Sequence, residues 1–143
     1  FKIASCEIQL GRAEDGIKEL KSVLKINPNY YSALLNLGSI YYEKGKFEDA
    51  LVYYEKAKQS NPNEAKVWFT LASCQTELGR YNEAYVNSQK SVEVEPNNAL
   101  YLFLYAKLKI HFQEDPCEEL KKVKKAGGFA VDAMLRKHCK PKQ

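Results

Sequence analysis

Residues 31–64 alternate apolar and polar positions with a helical period. Leu34, Leu37 and Tyr41 fall three or four apart, and so do Leu51, Tyr54 and Ala57. Each set gives one amphipathic helix. Lys44-Gly45-Lys46 separates the two sets, and Gly45 suits a helix C-terminus that needs a left-handed residue. Asn61-Pro62-Asn63 closes the second helix, because proline cannot continue it and biases its predecessor away from helix. The pattern then recurs. Pro28, Pro62 and Pro96 stand 34 residues apart, and so do Gly11, Gly45 and Gly79. Arg12, Lys46 and Arg80 follow the glycines. The period predicts successive helix pairs with turns at each glycine and proline.

Small residues keep the same register at Gly16, Ala50 and Ala84, and at Ala4, Gly38, Ala72 and Ala106. Bulky ones do so at Ile3, Leu37, Leu71 and Tyr105. The small columns are expected at helix crossings, where a larger side chain would hold the axes apart. The fourth period departs from the pattern. Gln113 replaces glycine, Glu118 a small residue and Ala130 proline. Its second helix is still signalled by Asp115 as cap, Pro116 at the first position, Glu118 in a capping-box pattern and the stripe Cys117, Leu120, Val123. Gly127-Gly128 ends it. A last helix is expected over 129–138 with Val131, Met134 and Leu135 inward, followed by a frayed tail from Lys140 to Gln143.

The stretch Ala33 to Asn63 closely resembles the tetratricopeptide repeat (TPR), carried by Asn36-Leu37-Gly38, Tyr41, Gly45, Ala50, Tyr54, Ala57 and Pro62. The next copy has Trp68, Leu71, Ala72, Gly79, Tyr81, Ala84 and Pro96, and departs at Ser88 and Ser91. The resemblance covers residues 1 to about 112. It implies an all-α fold, a right-handed α-solenoid of antiparallel helix pairs. A single domain over 1–143 is expected, with repeats at about 1–30, 31–64, 65–98 and a degenerate 99–126, then a capping helix at 129–138. Phe1 aligns with Leu35, inside a first helix, so the sequence is expected to be part of a longer chain or to follow a lost segment.

Charge adds a C-terminal asymmetry. Residues 1–106 are near neutral, whereas 107–143 hold ten basic and five acidic side chains. Glu118, Glu119 and Asp132 interrupt the basic run, which reads as a solvated helix face. The longest apolar run, Ala99 to Ala106, is far short of the ~20 residues of a membrane span. Cys6, Cys74, Cys117 and Cys139 form no C-x-x-C pair and are expected as four reduced thiols, hence a reducing, cytoplasmic compartment.

Catalytic and metal motifs are missing. Gly38 to Gly45-Lys46 has six intervening residues, and Phe47 follows where a phosphate loop needs Ser or Thr. His138 and Cys139 are adjacent, so on a helix they point apart and are not expected to share a metal. Neither His111 nor His138 is placed beside a cysteine nucleophile by the sequence. No enzyme, cofactor or metal site is expected.

In TPR proteins the first helices of successive repeats line a concave groove where peptides lie. By this resemblance the groove-lining residues are Leu35, Asn36, Ser39, Tyr42, Lys66, Phe69, Thr70, Ser73, Phe103, Lys107 and Ile110, with Phe1, Lys2, Ser5 and Ile8 in the same columns of the first copy. The groove would be apolar and hydroxyl-lined, with Phe103 facing ligand rather than core. The carboxylate clamp of chaperone-binding TPRs is matched only at Asn36 and Lys66, since Phe1, Ser5 and Thr70 replace its other members. An asparagine ladder is matched only at Asn36. The expected function is a protein-interaction scaffold binding a peptide or helical segment of another protein. The alternative is a structural element that self-associates end to end through its exposed N-terminal end. Nucleic acid is not an expected partner, because the first 106 residues are near neutral.

Overall fold

The computed structural model describes residues 2–127 and 130–141, with side chains from residue 11 onward. Gly128, Phe129, Lys142 and Gln143 lie outside the described residues. Among the described residues the chain is all-α, with eight helices: α1 (Lys2–Ile26), α2 (Tyr31–Glu43), α3 (Phe47–Ser60), α4 (Ala65–Glu77), α5 (Tyr81–Val94), α6 (Ala99–His111), α7 (Cys117–Ala126) and α8 (Asp132–His138). Two compact units divide them, Phe1–Pro62 with α1–α3 and Asn63–Gln143 with α4–α8.

The helix starts follow the sequence period. α2, α4 and α6 begin at Tyr31, Ala65 and Ala99, and α3 and α5 at Phe47 and Tyr81. Each of the three prolines falls between two helices. The turns after α2, α4 and α6 share one construction. Gly45 N–H donates to Tyr42 O at 2.9 Å and Lys46 N–H to Tyr41 O at 2.9 Å, which is a Schellman turn with Gly45 left-handed at φ +76°. Gly79 N–H to Thr76 O at 3.1 Å and Arg80 N–H to Gln75 O at 2.8 Å repeat it. So do Gln113 N–H to Ile110 O at 3.0 Å and Glu114 N–H to Lys109 O at 2.8 Å. The fourth repeat therefore keeps the turn although glycine is gone, and Gln113 sits at φ +60°. A Cβ in that region costs about 1–2 kcal/mol. Gln113→Gly is expected to stabilise the chain by about 0.5–1 kcal/mol, after the greater unfolded-state freedom of glycine is subtracted. Urea unfolding checks it, and a destabilised variant would contradict the strain.

The first repeat differs from its expectation. Gly11 does not end a helix, and α1 runs through it from Lys2 to Ile26. Glycine permits a left-handed turn without enforcing one. A Cβ at Gly11 would meet nothing within 4 Å, so no close packing fixes that site.

In the first unit α2 packs on α3 and on α1. Leu34, Leu37, Ala50 and Ala57 are fully buried, with Tyr54 at 3% exposure. Gly38 is required by Tyr54: a Cβ there would stand 2.5 Å from the Tyr54 Cε1 and 2.6 Å from its Cδ1. The equivalent positions of the next repeat hold Ala72 and Ser88, both fully buried. The shorter Ser88 side chain thus accompanies the larger residue opposite it. Gly38→Ala is expected to cost about 1–2 kcal/mol, overpacking outweighing the gain in helix propensity. In a Tyr54→Ser background the same change should become neutral or stabilising. A four-variant cycle of thermal melts measures this coupling. Additive effects would remove the ring from the explanation.

The second unit is a run of consecutive helix contacts from α4 to α8. Between α4 and α5, buried Gln75 accepts from Asn87 Nδ2 at 2.7 Å and donates to Glu83 Oε2 at 3.2 Å, so its amide is satisfied. Ser88 and Ser91 donate to the carbonyls of Tyr85 and Ser88 in their own helix, at 2.8 and 2.7 Å. Asn98 caps α6, accepting from Leu100 N–H and Tyr101 N–H. The C-terminal core gathers Leu102, Ala106, Leu120, Val123 and Val131, with Met134 and Leu135 packed against it. Asp115 Oδ1 accepts from Cys117 N–H at 2.9 Å at the start of α7, and Gly127 ends it at φ +71°. Glu118 does not complete a capping box but faces Lys122 one turn on. α8 starts at Asp132, later than expected, and Val131 at its head is buried.

Candidate functional site

In the second unit, α4 and α6 carry seven of the residues expected to line a groove. Lys66 and Lys107 are exposed, and Phe69, Thr70, Ser73, Phe103 and Ile110 are half-buried. Phe69 meets the Tyr101 ring at 4.8 Å between centroids, which joins α4 to α6. Lys107 Nζ stands 5.5 Å above the Phe103 ring. Phe103 also packs against the C-terminal core. Its role is thus partly structural. Ile110 lines a different cleft, described below.

In the first unit α2 carries the other four. Asn36 is exposed, Tyr42 is half-buried with its ring edge-on to Phe47, and Leu35 is buried. Ser39 donates to Leu35 O at 3.0 Å and accepts from Tyr54 Oη at 3.3 Å. Thr70 similarly donates to Val67 O at 3.0 Å. These hydroxyl protons are used within their own helices, which leaves oxygen lone pairs for a ligand N–H. The side chains of Phe1, Lys2, Ser5 and Ile8 lie outside the described residues.

A second constellation was not expected from sequence. Cys117 and Cys139 form a disulfide, with Cα atoms 5.5 Å apart. The expectation of four reduced thiols is therefore wrong for this pair, and so is the ground on which a reducing compartment was inferred. Cys74 is buried and outside this disulfide, and the Cys6 side chain lies outside the described residues. The cause is topological. α7 and α8 form a short hairpin, which brings the first residue of one beside the residue that follows the other. A search for closely spaced cysteines misses a pair 22 residues apart. The hairpin signal, a cysteine at each end of two helices joined by Gly127-Gly128, would have found it.

An open cleft of about 490 Å³ exposes this disulfide, lined in part by Ile110, Glu114, Asp115, Cys117, His138 and Cys139. His138 and Cys117 thus line one cleft, but the sulfur is bonded to Cys139 and is not a nucleophile in this state. His111 stacks on Tyr81 at 4.1 Å between centroids. Nearby, Tyr85 donates to Glu114 Oε2 at 2.6 Å. Burial and then the bonds to Glu114 and Tyr105 raise its pKa far above the ordinary tyrosine value, so the phenol stays protonated. No described helix is long and apolar enough to cross a membrane.

Tetratricopeptide repeat family models match residues 31–64 and 65–98, and a TPR repeat model matches residues 7–45. Comparison with curated protein sequences finds no match. Among solved structures, a crystal structure of MamA superposes with a TM-score of 0.74 at 22% identity, covering 86% of this chain and 73% of that one. MamA from Desulfovibrio magneticus RS-1 gives 0.73 at 19% identity, covering 84% and 69%. The first TPR of Spaghetti (RPAP3), bound to the HSP90 peptide SRMEEVD, gives 0.69 at 18% identity, covering 79% and 90%. At these identities the likeness shows a shared fold of helix-pair repeats.

Proposed function

Because the chain belongs to the tetratricopeptide repeat family, we propose that it is a non-enzymatic interaction scaffold whose second unit holds a peptide or helical segment of a partner protein. The observation that carries this reading is the surface of α4 and α6, where exposed Lys66 and Lys107 flank half-buried Phe69 and Phe103. Apolar rings anchor a ligand, and the two ammonium groups favour acidic residues on either side of the anchor. Ser73 and the lone pairs of Thr70 accept ligand N–H groups. The peptide held by the RPAP3 repeat domain, with its two glutamates and terminal aspartate, supports the reading by analogy of fold. On the first unit Asn36, 34 residues before Thr70, is exposed on α2.

A random peptide library displayed on phage and selected on the immobilised full chain tests the reading. Selected peptides should combine apolar anchors with Asp or Glu. The double variant Lys66→Glu with Lys107→Glu should bind them about three- to tenfold more weakly, since each exposed charge contributes up to about 1 kcal/mol. Raised salt should weaken wild-type binding in the same direction. Lys121→Glu with Lys124→Glu on α7 should change little. If only the α7 variant loses binding, the basic C-terminal face is the site and the proposal fails.

A further inference from the structure

We propose that reduction of the Cys117–Cys139 disulfide unmasks a binding site for a zinc-class divalent metal ion, formed by Cys117, Cys139 and Asp115. Asp115 offers a carboxylate oxygen and the two cysteines their sulfurs, all within 4.8 Å of one another. Zinc binds sulfur at about 2.3 Å and carboxylate oxygen at about 2.0–2.2 Å, so one ion fits among these donors after small side-chain rotations. Water completes the coordination, since His138 lines the same cleft but its ring nitrogens are not grouped with these donors. Cys139 lies past the end of α8, at φ −120° and ψ 66°, outside the helix geometry.

Two features prepare the sulfurs. Cys117 is the first residue of the ten-residue helix α7, where the backbone dipole favours negative charge. Lys121, Lys122 and Lys140 line a second cleft, of about 730 Å³, that also reaches both cysteines. The pair is thus open to a reductant and an ion through two overlapping clefts. Two thiolates with a carboxylate donor select zinc-class ions over magnesium or calcium. The chemistry balances with a thiol or phosphine reductant. The S–S bond takes two electrons and two protons while the reductant is oxidised, and the metal then displaces both thiol protons. The ion would tie the start of α7 to the end of α8 as the disulfide does.

The test uses the full chain, reduced with a water-soluble phosphine under anaerobic conditions and titrated with Co²⁺. The expected result is one Co²⁺ per chain, with thiolate-to-cobalt charge-transfer and tetrahedral ligand-field bands that Zn²⁺ abolishes. Cys74→Ser should behave as wild type, and Cys139→Ser should lose the two-thiolate spectrum. Asp115→Asn, which keeps both sulfurs, should weaken binding by about tenfold or more. The unreduced chain should not bind. The proposal is overturned if the reduced chain keeps its helicity and shows no such bands. It is equally overturned if Asp115→Asn leaves affinity unchanged, or if binding occurs only in a chain that has lost its helices.

Discussion

Cys139→Ser is expected to cost the oxidised chain about 3 kcal/mol. The disulfide closes a segment of 22 residues, and the chain-entropy account gives about that value for a loop of this length. Little else holds the segment's end. α8 has seven residues, none of them buried, which is too short for a helix to persist by itself. Its attachment is Met134 and Leu135 against the C-terminal core and the Lys124–Asp132 ion pair at 2.8 Å, which is exposed and contributes little. The loss should therefore appear first as rapid amide exchange and proteolysis over residues 130–141, with α4–α6 protected longer. Cys117→Ser should match it, because both variants open the same loop. Thiol titration of the unfolded, unreduced wild-type chain gives the second check. Two free thiols are expected, from Cys6 and Cys74, and a count of four would remove the disulfide and this effect together.

The helix register was legible because proline and glycine act through the backbone. Pro28, Pro62 and Pro96 exclude helix wherever they stand, so the period they mark is the period of the fold. Glycine is a weaker sign, since it allows a turn without demanding it. Gly45 and Gly79 take the left-handed turn, Gly11 continues a helix, and Gln113 takes the turn with no glycine. What decides is whether flanking helices bury faces against one another, which depends on distant residues. The groove shows the same limit. Spacing by 34 residues places Leu35, Phe69 and Phe103 at one position of their helices, but it is blind to what else each touches. Leu35 is buried, Phe69 leans on Tyr101, and Phe103 joins the C-terminal core. The disulfide escaped the repeat pattern for a related reason: it follows from how α7 and α8 fold back, where the 34-residue period does not reach.

Lys109→Met should destabilise the second unit by about 3 kcal/mol, through the group it leaves behind. Lys109 Nζ donates to Glu119 Oε1 at 2.9 Å, and the two side chains are only 18% and 11% exposed. Glu119 Oε2 is already buried without a hydrogen-bond partner, so the lysine is the carboxylate's main compensation. Lys109 Nζ also lies 4.9 Å from the centre of the Tyr105 ring. The double variant Lys109→Met with Glu119→Leu should recover most of the loss, because it removes both charges and keeps apolar volume between α6 and α7. The pair also carries a pH signature. Burial pulls the Lys109 pKa down, but the hydrogen bond and charge of Glu119, with Tyr105 and Glu114, outweigh it and set it above the ordinary 10.5. A raised folded-state value means that this stabilisation is complete below the unfolded-state value and is lost as pH rises through the folded one. The stability difference between wild type and double variant should therefore be flat at neutral pH and shift against wild type only above about pH 10.5. Urea unfolding of the three proteins from pH 7 into that range measures it. A single variant as stable as wild type would mean that water already solvates Glu119, and that the contact of α6 with α7 rests on Leu120 and Val123 alone.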